Sequence, residues 1–386
     1  MMRSAERVVA IDVRMADAPG IGTYLRNLVP RVITARPNWR FVLLGALSEI
    51  ERLGWQKLEN ASAQALDAPI YSVAEQRALV AATSRRFDAF WSPHYNIPLS
   101  SRVPLLVTVH DVIHLARPEY RRSIAKRLYT RLMFQTIRRR ATAILVDSEF
   151  TRNEFLRYVG RPLGSLTVVH AGVDERWFQP VESPASSPAG RYIVCVASLK
   201  PHKNLVALID AFAAIQDRIP HNLIIVGRVD GLRTADTPAM RRAMACGDRV
   251  RLTGEVSDAA LRALVAGADV LAHPSLYEGF GLPPLEAMAA GCPCLVSQTT
   301  AMPEVCGDAA LYCNPLDPGD IAARLYQLVS DEGLRRDLSA RGRARAATFQ
   351  WDRTAEHTLH ALDQVVARAE TGVTERRGLA RKSAVT

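Results

Sequence analysis

At 386 residues the chain is too long for one ordinary core, so two domains of about 150 to 200 residues are expected. Hydrophobic residues at 48% and charged residues at 23% exclude collagenous, coiled-coil and wholly disordered classes, and no apolar run approaches the roughly 18 residues of a membrane span. The formal net charge of +10 sits in the N-terminal half: residues 1–180 hold 26 Lys and Arg against 16 Asp and Glu, whereas residues 181–386 hold 23 of each.

Residues 1–6 lack the apolar segment of a secretory signal, which favours a cytoplasmic enzyme. Short apolar runs then alternate with helical patterns, as a doubly wound parallel sheet requires, at 8–13, 41–44, 87–91, 105–109, 143–146 and 166–169. Gly20-Ile21-Gly22 follows the first run and opens a helix at Thr23. Leu25 stands where a dinucleotide fingerprint needs its third glycine, so a dehydrogenase is disfavoured.

His110 and Asp111 end the apolar run 105–109 and so face the expected ligand edge of the sheet. Between Arg117 and Arg140 nine of 24 residues are basic, and Ile124, Leu128 and Leu132 recur at helical spacing. That helix either buries its stripe in its own domain or lies on an anionic surface such as lipid. Nucleic acid is disfavoured because no aromatic residues interleave with the arginines.

Three prolines without periodicity between 180 and 190 mark a linker at 181–190, placing an N-terminal domain at 1–180 and a second at 191–350. Strand-like runs resume at 192–197, 223–226, 250–253, 270–272 and 294–296. A closing helix is expected over 351–370, packing back towards the N-terminal domain, with a disordered tail over 371–386. The fold class is therefore α/β: two Rossmann-like, doubly wound parallel-sheet domains facing a central cleft. All six cysteines lie in the second half, without metal-ligand spacing, and read as reduced core residues; no metal is expected.

The most informative segment is PSLYEGFGLPPLEAMAAGCPCLVS at 274–297. Glycines and prolines separate Glu278 from Glu286, so the first sits on a loop and the second in the first turn of a helix starting at the prolines. The amides of Phe280, Gly281 and Leu282 would point at an anion on that helix N-terminus, and two carboxylates would meet hydroxyls. Lys203, after Pro201-His202, sits at another helix start, where its ammonium can reach a phosphate.

These segments resemble the retaining nucleotide-sugar glycosyltransferases of family 4, with GT-B architecture. The likeness spans roughly residues 8–365, through GIGTYLRNL, TVHDVIHLARPEY, VDSEFTRNEF, VASLKPHKNLVALIDAF and the E-x7-E segment. It implies that Glu286 holds the donor ribose, that Glu278 and His110 approach the transferred sugar, and that Lys203 and the Gly20–Gly22 loop approach the diphosphate. Asp111, His114 and Glu119 are implied on the acceptor side. Where many relatives carry a second diphosphate cation this chain has Ser198; Lys200 and His202 are the substitutes, and Val256 is the candidate for the base.

The motif combination is similar to bacterial GDP-mannose-dependent mannosyltransferases of polysaccharide and lipopolysaccharide assembly. It implies a nucleoside diphosphate sugar donor, a glycan or lipid-linked glycan acceptor, peripheral contact with the inner face of the plasma membrane, and no metal or other cofactor. A UDP-sugar transferase, a nucleotide-sugar 2-epimerase and a non-catalytic relative of the same architecture remain alternatives.

Overall fold

Parallel strands covered by helices on both faces need apolar residues on both faces, and strands such as Leu105–Val109 and Val270–His273 are buried at every position. The structure, a computed structural model, describes residues 7–84, 87–120, 123–181, 190–227 and 237–383, the side chains of 118, 237 and 369 onward excepted. It divides into two units, one of residues 1–172 with 351–386, the other of residues 173–350.

The first unit holds β1 (Arg7–Asp12), β2 (Trp39–Gly45), β3 (Ala61–Ala65), β4 (Ala89–Ser92), β5 (Leu105–Val109), β6 (Ala141–Val146) and β7 (Ser165–Val168). All pair in parallel in the order β3-β2-β1-β4-β5-β6-β7. The order reverses at β1 and β4, so the segments leaving β1, β4, β5 and β6 gather at one carboxyl edge, where open α/β sheets bind ligands.

The second unit holds β8 (Tyr192–Val196), β9 (Asn222–Val226), β10 (Val250–Gly254), β11 (Val270–His273), β12 (Cys294–Ser297) and β13 (Leu311–Cys313). Their order is β10-β9-β8-β11-β12-β13, again parallel, with the reversal at β8 and β11. Two strands were not expected from the sequence. β3 is an edge strand of sequence ASAQA with no buried position, and β13 is an edge strand of three residues.

The unit boundary falls before the expected linker 181–190, of which 182–189 lie outside the described residues. Val173 already belongs to the second unit, where its N–H donates to the Phe349 carbonyl at 3.1 Å. The closing helix Trp351–Ser383 belongs to the first unit. It buries Trp351, Leu359, Leu362, Val365 and Val366, each stabilising by about 1.5–3 kcal/mol on full burial. Thr354 Oγ1 donates to the His170 carbonyl at 2.8 Å, and Arg36 meets Asp363 at 2.6 Å. Helical backbone continues to Ser383, past the residue 370 expected for its end, because no proline interrupts it.

All six cysteines are free, five of them buried. Among the described residues no helix is long and apolar enough to cross a membrane.

Candidate active site

In the second unit, β11 delivers His273 and then the loop that carries Glu278. The helix Leu282–Ala289 starts one residue before the prolines, capped by Gly281 in the left-handed region at φ 114°. A Cβ there would also lie 2.3 Å from Met302 Cε, the flexible end of that side chain, so it is the backbone conformation that calls for glycine. Glu286 consequently stands in the second turn, a correction to the first-turn placement, and is half-buried. Phe280 is buried with its ring edge-on to Phe349 at 5.9 Å, and Leu282 is half-buried.

Lys203 closes the 3-10 turn Pro201–Lys203 that precedes the helix Leu205–Ala213. Asn204 Nδ2 donates to the Pro274 carbonyl at 3.0 Å and to the Pro315 carbonyl at 2.7 Å, while Leu276 N donates to the His202 carbonyl at 2.8 Å. These bonds tie the turn after β8 to the loop after β11. Lys203 Nζ thereby lies 2.7 Å from Glu278 Oε1, and His273 Nε2 lies 2.9 Å from the same oxygen. Burial alone would push the Glu278 carboxyl up. Lys203 and His273 outweigh it and hold that carboxyl well below the usual carboxylate range.

Burial, with the Lys203 charge beside it, pushes the His202 ring down to about 4, so it is neutral at neutral pH. Lys200 is exposed, and Ser198 is half-buried with its carbonyl accepting from Lys200 N at 2.8 Å. Val256 follows the edge strand β10 and is half-buried.

In the first unit, the helix Ile21–Thr34 begins two residues earlier than expected, with Gly20 as its N-cap at φ 78° and open space where a Cβ would stand. Gly22 is fixed by the protein itself: a Cβ would lie 2.4 Å from the Ala16 carbonyl oxygen and 2.9 Å from Arg26 Nη1.

His110 follows β5. Its Nδ1 lies 2.5 Å from Asp147 Oδ2 and its Nε2 lies 2.8 Å from the Pro93 carbonyl oxygen. Both partners are acceptors, so the ring that satisfies both is the imidazolium. Burial would lower its pKa, but the Asp147 charge and hydrogen bond and the Pro93 carbonyl raise it. Both N–H groups are therefore engaged within the unit, and a sugar hydroxyl would have to displace the Pro93 carbonyl. Tyr24 packs edge-on against the ring at 4.9 Å.

Asp111 Oδ1 accepts from Ile113 N at 2.9 Å and shapes the short helix Ile113–Ala116, on which His114 lies edge-on to Tyr95. Glu119, on the turn Pro118–Tyr120, is exposed and 3.8 Å from Arg117. Sequence reasoning missed His273 and Asp147 as site residues, although each stands at the end of a buried strand as His110 does.

It also missed a buried polar cluster beside His110. Arg14 is gripped by Asp12 at 2.6 Å and Glu75 at 3.0 Å, and Asn96 Nδ2 donates to Glu75 at 2.8 Å. His94 is held neutral by burial, with a pKa pushed down to about 4.

The family model described as Glycosyl transferases group 1 matches residues 181–345, and Glycosyltransferase Family 4 matches residues 64–177. O-antigen chain mannosyltransferase B of Escherichia coli is 28% identical over 371 residues, covering 89% of this chain and 95% of that protein. The MMP alpha-(1->4)-mannosyltransferase of Mycolicibacterium hassiacum is 30% identical over 277 residues, covering 69% and 66%. Among solved structures, sucrose-phosphate synthase from Thermosynechococcus elongatus superposes with a TM-score of 0.74 at 20% identity, covering 94% of this chain and all of that one.

Proposed function

This chain belongs to the glycosyltransferases of family 4 and is a hexosyltransferase of the GT-B fold, and from that premise we propose that it transfers mannose from GDP-mannose to a hydroxyl of a glycan acceptor, with retention at the anomeric carbon. The mannosyltransferase relatives support the sugar, and the likeness of the GIGTY, VHD-x-x-x-L-x-x-PEY and P-x-K-N motifs to GDP-mannose enzymes supports the base.

The observation that carries the reading is the pairing of Lys203 and Glu278 at the carboxyl edge where the second sheet reverses its order. A cation and a carboxylate side by side suit a substrate that is a diphosphate at one end and a polyol at the other. The diphosphate takes the Lys203 ammonium and the amides opening the helix Leu282–Ala289. Glu278 accepts from a hydroxyl of the transferred sugar and Glu286 from the ribose. The bond from the anomeric carbon to the phosphate oxygen breaks as the acceptor oxygen bonds that carbon on the same face. The acceptor proton passes to the departing phosphate. Lys203 and the amides stabilise the charge developing there, so no divalent ion is required.

The acceptor reading extends to a lipid-linked glycan at an anionic membrane. The helix Ile124–Arg140 buries Thr130, Met133, Phe134 and Ile137 in its own unit. The stripe the sequence singled out is instead exposed: Ile124 at 69%, Leu128 at 61% and Leu132 at 53%. Lys126, Arg127 and Arg131 lie on the same helix, and Arg131 lines a pocket of about 300 Å³ with Leu115, Phe134, Gln135 and Tyr158. Apolar side chains beside cations suit a leaflet of anionic lipid.

Calorimetric titration of GDP, UDP and ADP into the protein, with EDTA present, tests the donor. Tight binding of GDP alone supports the proposal. Preference for UDP overturns the mannose donor, and binding that needs magnesium overturns the metal-free mechanism.

A further inference from the structure

His273 is the last residue of β11, and its side chain is 1% exposed. Its Nε2 lies 2.9 Å from Glu278 Oε1 and 3.2 Å from Ser275 Oγ, and its buried Nδ1 has no hydrogen-bond partner among the described residues. A buried acceptor left unpaired destabilises the fold. The ring's hydrogen bonding is instead concentrated at Nε2, beside Glu278 and Ser275.

Both donors to Glu278, Lys203 Nζ and His273 Nε2, converge on Oε1. Oε2 receives no hydrogen bond from the described residues, and the side chain is 11% exposed, so this oxygen is the one open to a ligand. The two donors differ in stiffness. Lys203 carries its ammonium on four flexible carbons and has a second acceptor to serve once a diphosphate arrives. The His273 ring stands at the end of its strand, and beside Glu278 only Ser275 Oγ, at the longer distance of 3.2 Å, meets its Nε2 among the described residues.

We propose that His273 is a positioning residue for Glu278: its Nε2–H pins Oε1 and leaves Oε2 aimed at a hydroxyl of the transferred sugar, independently of where Lys203 stands. The inference rests on the assignment of Glu278 to that sugar. The loop backbone does not depend on the imidazole. Leu276 N donates to the His202 carbonyl at 2.8 Å, Ser297 Oγ to the Ser275 carbonyl at 2.5 Å, and Ala301 N to the Glu278 carbonyl at 3.4 Å. Removal of His273 should therefore misdirect the carboxylate without dismantling the loop.

The test compares affinities for GDP and for GDP-mannose in wild type, His273→Ala, His273→Gln and Glu278→Ala, all by calorimetry. The glutamine amide places an N–H near the lost Nε2. His273→Ala should weaken GDP-mannose about tenfold while leaving GDP within about twofold, and His273→Gln should recover most of the loss. Unchanged GDP-mannose affinity in His273→Ala overturns the inference. Equal losses of GDP and GDP-mannose, or a glutamine variant no better than alanine, reduce His273 to a packing role and overturn it too. If Glu278→Ala itself leaves GDP-mannose affinity intact, the sugar assignment fails first, which separates that failure from a failure confined to His273.

Discussion

Lys203 Nζ and Glu278 Oε1 lie 2.7 Å apart with side chains only 16% and 11% exposed, and they reach each other from the two strands, β8 and β11, where the sheet reverses its order. A pair so shielded behaves as one unit. Lys203→Met leaves a buried carboxylate with His273 alone and should cost about 3–5 kcal/mol of stability near neutral pH. The sign with pH is fixed by the depressed Glu278 carboxyl, which stabilises the fold above the unfolded value of 4.5 and loses that contribution as pH falls through the folded value. The gap in stability to wild type should accordingly be full at pH 7 and shrink below pH 4.5. Urea unfolding at pH 7 and pH 4 measures it; a gap that does not narrow contradicts the pairing.

Glu286 stands one turn further into its helix than the spacing suggested, yet remains half-buried on the same helix whose N-terminus is assigned to the diphosphate. Glu286→Ala should weaken GDP by about 1–3 kcal/mol, because ribose hydroxyls lose a charged acceptor. Calorimetry reads the change directly. Unaltered affinity removes Glu286 from the ribose.

His110 and Asp147, at 2.5 Å, make a second paired unit at the carboxyl edge of the first sheet. The raised His110 pKa means that the pair stabilises the fold fully below the ordinary value of 6.5 and that the contribution fades as pH rises through the folded value. Asp147→Asn should destabilise the protein more at pH 5.5 than at pH 9, and should lower the His110 titration followed by NMR. An equal loss at both pH values would show that the ring is not held as the imidazolium.

Eleven of the thirteen described strands were legible as apolar runs, and all of these but the edge strands β7 and β10 are largely buried. β3 and β13 were not, since an edge strand of small and polar residues or of three residues has no periodicity to detect. Glu278 and Lys203 were legible because loop glycines, prolines and spacing mark them. Their contact 75 positions apart was not, because it depends on strand order rather than on local pattern. The stripe Ile124, Leu128 and Leu132 carries the opposite lesson. Its spacing is that of a core face, but Met133, Phe134 and Ile137 occupy the core instead, and helical period alone does not say which of two apolar stripes is buried.

That exposed stripe gives the last prediction. Transferring apolar side chains from water to a leaflet contributes about 25 cal/mol per Å², and Arg127 and Arg131, adjacent to the stripe on the helix surface, add about 1 kcal/mol each against anionic lipid. Replacing Ile124, Leu128 and Leu132 together by serine removes the apolar part without touching charge. The triple variant should float less with vesicles of mixed neutral and anionic phospholipid, by about tenfold or more in partitioning, while binding GDP as the wild type does. Raising salt should weaken the wild type further by screening the cations. Flotation that ignores the serines but falls with salt would leave a purely electrostatic contact. Flotation that ignores both removes the membrane from the reading.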